Sequence, residues 1–81
     1  MAHLRFQKIM KVGEIVNGSL DRLRQPRETY IRFRQVFEIY GFVVGGNAYT
    51  ALRISTSHYV IAQGSLEEFL MTNKKALSED N

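Results

Sequence analysis

The chain contains no cysteine, which excludes a disulfide framework and a thiolate zinc site and makes a reducing compartment, the cytoplasm, the expected setting. Histidine is scarce too. His3 and His58 are the only two, and without a nearby carboxylate cluster neither fits a zinc spacing, so no metal and no cofactor is expected. Ser57-His58 is an adjacent pair with no oxyanion-hole context, which reads as a turn beside a strand and not as part of a catalytic triad. No apolar run approaches the roughly 18 residues of a membrane span. Arg5, Gln7, Lys8 and Lys11 interrupt the apolar residues near the start, so no signal-peptide core can be drawn. Internal repeats, low-complexity segments and linkers are also missing.

What is present suits one small domain. Eighty-one residues can build a single core, though one short of comfortable stability, so dimerisation would help. A hydrophobic share of 44% against a charged share of 23% is that of a folded chain and argues against wholesale disorder. The domain is expected over residues 1–77, with 78–81 as a frayed tail. The net charge is +3, and five of the eleven basic residues, Arg22, Arg24, Arg27, Arg32 and Arg34, lie within 22–34. Such a cluster marks either a phosphate-facing surface or a solvated helix face.

Two periods compete over residues 27–40. As a helix, Tyr30, Phe33, Phe37 and Tyr40 fall at i, i+3, i+7 and i+10 and form one apolar stripe. As a strand, Ile31, Phe33, Phe37 and Ile39 alternate against Arg32, Arg34 and Glu38. No turn residue interrupts the run, and a strand of that length would far exceed the usual 5–6 residues, so the helix is preferred. Pro26 suits its first position, Glu28 its first turn, and Gly41 its end.

After Gly41 the period changes to two. Phe42-Val43-Val44, a Gly45-Gly46-Asn47 turn and residues 48–55 read as a hairpin, and a Thr56-Ser57 corner leads into a third strand over 58–62. Gly41-x-x-x-Gly45-Gly46 thus follows a helix and precedes a strand, the reverse of a phosphate-binding loop, and no enzyme is expected. Ser65-Leu66-Glu67-Glu68 is a capping box that opens a helix carrying Leu66, Phe69, Leu70 and Leu77. Toward the N-terminus, helices are expected at about 4–16 and 19–24, broken at Gly13 and Asn17-Gly18. A strand over 4–12, with Leu4, Phe6, Met10 and Val12 on one parity, is the alternative.

The resulting order of helices, hairpin and final helix resembles an α+β winged helix-turn-helix domain. Arg27-Glu28-Thr29-Tyr30 is similar to the start of a recognition helix, and Phe37 to Val43 is similar to the Leu-x-x-x-Gly-Leu-Val exit of that superfamily. The likeness covers about residues 19–55 and departs at Arg24-Gln25-Pro26, where a glycine-containing turn is usual. It implies sequence-specific double-stranded DNA binding by a small transcriptional regulator. Arg27, Glu28, Ile31, Arg34 and Gln35 would then face bases, while Arg22, Arg24 and Arg53 would reach phosphates.

From Pro26 onwards the order also matches a double-stranded-RNA-binding domain, but Leu66-Glu67-Glu68 stands where lysines should grip phosphate. A protein-interaction module is the main alternative, since four tyrosines and five phenylalanines also suit an interface. Phe33, Phe37, Tyr40, Leu52, Ile54, Leu66, Phe69 and Leu70 are the expected core. A homodimer through the final helix would double the contacts to a palindromic site.

Overall fold

The computed structural model describes residues 6–79, and its architecture is a β-sheet, not a winged helix. Strands β1 (Gln7–Val16), β2 (Ser19–Ile31), β3 (Glu38–Val44), β4 (Asn47–Ser55) and β5 (His58–Gln63) form one sheet in the order β2-β1-β5-β4-β3. Every neighbouring pair is antiparallel. Two short helices, α1 (Leu66–Thr72) and α2 (Lys74–Glu79), follow β5. No helix among the described residues is long and apolar enough to cross a membrane.

The expected helices over 4–16 and 19–24 are instead, in their described part, the β1–β2 hairpin. Its turn is Asn17-Gly18, with φ of 52° and 82°, the left-handed pair that matches the twist of the flanking strands. Gly45-Gly46, at φ 57° and 82°, makes the same kind of turn between β3 and β4. Thr56-Ser57 joins β4 to β5. The hairpin and the third strand thus lie where alternation predicts them.

The expected helix over 27–40 is also overturned. Residues 27–31 continue β2, Phe33–Gln35 form a single 3-10 turn, and β3 begins at Glu38. The chain reverses there without glycine or proline: Val36 N–H donates to Phe33 O, and Phe37 N–H donates to Arg53 O on β4. Pro26 lies on the edge strand β2, where its missing N–H costs no ladder bond. Arg22 pairs with Gly13 and Arg27 with Lys11, so four residues, 23–26, oppose the single bulged residue Val12.

One face of the sheet carries the helices. Ile9, Ile31, Phe33, Leu52, Val60, Ala62 and Phe69 are buried together there, with Val36, Ile39, Ile54 and Leu77 packed at the margin. Phe33 and Phe69 rings meet at 5.9 Å and 59°, an edge-tilted geometry that adds to burial. Ser65 Oγ accepts from Glu68 N–H at 3.1 Å, so Ser65 is the N-cap that its sequence implies. Asn73 ends α1, its side-chain amide donating to Phe69 O at 2.9 Å. Of the expected core, Phe33, Leu52 and Phe69 are buried and Ile54 and Leu66 partly so, whereas Phe37, Tyr40 and Leu70 are exposed. The helical stripe placed Phe37 and Tyr40 inside; they are on the opposite side of the sheet from the helices.

Candidate nucleic-acid interface

Strand register assigns the second face, the one the helices leave uncovered, to alternate residues of each strand. Glu38, Arg53, Tyr59, Ile15 and Leu20 form one row across all five strands. Tyr40, Ala51, Ile61, Gly13 and Arg22 form the next. Phe42, Tyr49 and Gln63 form a third. This face is therefore rich in aromatic rings, and the rings touch one another.

Phe42 and Tyr49 face each other across β3 and β4 with centroids 5.6 Å apart. Tyr40 lies 6.4 Å from Phe42 along β3. It also meets Tyr59 edge-on at 6.3 Å and 78°, reaching β5 across the fully buried Ala51. At one end Arg53 closes the cluster: its guanidinium carbon sits 5.2 Å from the Phe37 centroid and 5.3 Å from the Tyr59 centroid. Arg53 also donates to Ser55 O and Thr56 O and pairs with Glu38 at 3.6 Å. Held by rings, carbonyls and a carboxylate, Arg53 fixes the aromatic surface as well as charging it.

The far end of the face is a groove of about 610 Å3. Phe42, Val44 and Tyr49 line one side, Leu20, Leu23 and Pro26 the other, and Ile61 is part of its lining between them. The extra residues 23–26 of β2 build that second wall. Arg22, Asn47 and Gln63 are the polar side chains among the apolar ones.

The residues expected to touch DNA are distributed unevenly over this surface. Arg22, Arg24 and Arg27 are exposed along the edge strand β2 and, among the described residues, have no carboxylate partner; Arg22 is on the helix-free face, whereas Arg27 shares the parity of Ile31 and the row of Lys11 and Ala62 on the helix side. Arg34 and Gln35 are exposed on the 3-10 turn. Glu28 is paired with Lys8 at 3.5 Å. Ile31 does not belong to any surface: it is buried in the core with only 8% of its area exposed, because strand parity turns it toward the helices. With no helix over 27–40, no recognition helix presents these residues to a major groove.

Sequence reasoning found the arginines and missed the rings. The signal was there in the two-residue period: Tyr40 and Phe42 alternate onto one face, and the two-residue Gly45-Gly46 turn brings Tyr49 opposite Phe42 on that face. The apolar stripe of a presumed helix absorbed Tyr40 and hid that pattern.

A second polar group lies on the helix side, beyond the helices. Glu14 accepts from Lys11 Nζ at 2.9 Å through one carboxylate oxygen and meets His58 Nε2 at 2.7 Å through the other. The Lys11 hydrogen bond foremost, and that of His58 after it, hold the Glu14 carboxyl below its ordinary value. The His58 contact ties β1 to β5.

No protein-family model, curated protein or solved structure matches this chain, so the reading of its function is carried by the geometry of the sheet and its charges.

Proposed function

We propose that this chain is a single-stranded nucleic-acid-binding module whose helix-free sheet face stacks unpaired bases. The observation that carries the reading is the run of contacting rings, Tyr40, Phe42, Tyr49 and Tyr59, bordered on β2 by Arg22 and Arg24, which have no carboxylate partner among the described residues. Every base has a π-face, so aromatic platforms beside a basic edge hold single strands with modest sequence preference. Residues 19–35 carry five arginines against two carboxylates, Asp21 and Glu28, which supplies a phosphate-attracting rim. The double-stranded reading loses its recognition helix, while an extended strand of unpaired nucleotides suits a flat sheet. The reading assigns no catalytic step, and a cytoplasmic setting goes with it.

The test is fluorescence anisotropy with labelled ten-nucleotide single strands and the matching duplex. Single strands are expected to bind in 50 mM salt, at least tenfold tighter than duplex, and to weaken steeply by 200 mM through counterion release. Equal or tighter duplex binding would return the protein to double-stranded DNA. No binding of either would remove nucleic acid from its function.

A protein-interaction module is the second reading, favoured by one observation on the other side of the molecule. Leu70 and Met71 of α1 are 41% and 76% exposed, an apolar pair that suits self-association through the C-terminal helices. Sedimentation at tens of micromolar distinguishes a dimer, which Leu70→Glu would dissociate, from a monomer, which would remove that support.

A further inference from the structure

We infer that the groove between the β2 excursion and the β3–β4 turn is a base-reading pocket, a built site within the stacking surface proposed above and dependent on that reading. The groove is continuous with the platform, since Phe42 and Tyr49 belong to both. From Tyr49 to Arg53 the β4 face spans about 13 Å at the usual rise of about 3.3 Å per residue. That is room for two or three nucleotides of an extended strand, whose spacing is roughly twice the 3.4 Å of a duplex strand. A strand laid along the rings therefore delivers a terminal base to the groove.

The volume of about 610 Å3 lies within the roughly 300–1,000 Å3 of small-ligand sites, which combine apolar walls with a few converging polar groups. Here the polar groups have distinct capacities. Gln63 and Asn47 each offer an amide donor and an amide acceptor, the combination that pairs with a base edge, and Arg22 offers only donors. Leucine, valine and proline walls alone would suit an apolar peptide equally well. An arginine without a carboxylate partner among the described residues, with Arg24 exposed on the same edge strand, matches an anionic chain instead. The occupant is thus one nucleotide of a single strand, its base against Phe42 and Tyr49 and its phosphate toward Arg22.

This differs in consequence from stacking alone. Stacking tolerates every base, whereas a pocket edged by amides discriminates among them. Gln63 is exposed, so Gln63→Met removes the amide without touching the core.

The experiment measures binding of homopolymeric ten-mers of dA, dC, dG and dT to the full chain in 50 mM salt, with 15N-resolved amide shifts. Wild type is expected to prefer one homopolymer at least fivefold, with shifts at Val44 and Gln63 as well as Tyr40 and Tyr59. Gln63→Met should reduce that preference to less than twofold, by weakening the preferred homopolymer toward the others. Binding of all homopolymers alike, a groove that stays silent while Tyr40 and Tyr59 shift, or an unchanged preference in Gln63→Met would each overturn the pocket and leave the stacking surface standing. Absence of binding by any ten-mer would overturn both.

Discussion

Gly41 of β3 and Leu66 of α1 are in direct apposition: a Cβ built on Gly41 would lie 2.8 Å from Leu66 Cβ, with Leu66 N at 3.5 Å. The first turn of the helix is seated on a strand position that has no side chain. Gly41 therefore serves packing between layers, with an ordinary strand conformation, where its sequence context suggested the end of a helix.

Gly41→Ala should consequently destabilise the fold by about 1–3 kcal/mol, the range for forcing an extra carbon into a packed interface. Urea unfolding checks it. Stability within about 0.5 kcal/mol of wild type, the range of an ordinary surface substitution, would mean that α1 does not rest on β3 as described.

Phe33 and Phe37 should respond oppositely to truncation. Phe33 is buried against Phe69, so Phe33→Ala is expected to cost about 3–5 kcal/mol. Phe37 is 60% exposed and chiefly covers Arg53, so Phe37→Ala should cost only about 0.5–1 kcal/mol. Comparable losses at both positions would restore the helical stripe that the strand arrangement replaces.

That pair also marks how far the fold was legible. The turn glycines at 45 and 46, the alternation of β4 and β5 and the capping box at Ser65 are local signals, and each element lies where its signal points. Residues 27–40 misled because the reversal at Phe33–Gln35 uses neither glycine nor proline; Val36 and Phe37 satisfy their N–H groups through Phe33 and through Arg53 on a distant strand. Asn17-Gly18 was visible as a break, but its flanks, Val16 and Leu20, fit helical spacing too, and only pairing with β5 fixes the parity. Of the site, the arginine cluster could be read directly. The groove could not, since it depends on 23–26 bulging opposite one residue of β1.

The Glu14 contacts predict an acid-sensitive component of stability. Lys11 first and His58 second lower the Glu14 pKa in the folded state below its reference of 4.5. A carboxyl with a depressed folded pKa contributes stability that is fully present above the unfolded pKa and is lost as pH falls through the folded one. Wild-type melting temperature should therefore drop as pH is lowered from about 5 toward 3, by the usual carboxylate pKa range. Glu14→Gln should melt lower at pH 7 and show a shallower drop. A variant parallel to wild type across that range would show that the Lys11 and His58 contacts carry no linkage.

Stacking of bases on Tyr40, Phe42, Tyr49 and Tyr59 is tested most directly by a ten-nucleotide single strand compared with an abasic strand of the same length and charge. Loss of one ring is expected to cost about 1–3 kcal/mol per stacked base, so removing every base while keeping every phosphate should weaken binding at least a hundredfold in 50 mM salt. Equal affinity for the two strands would contradict the account: the arginines of β2 would then be attracting a polyanion, and the aromatic face would have no part in binding it.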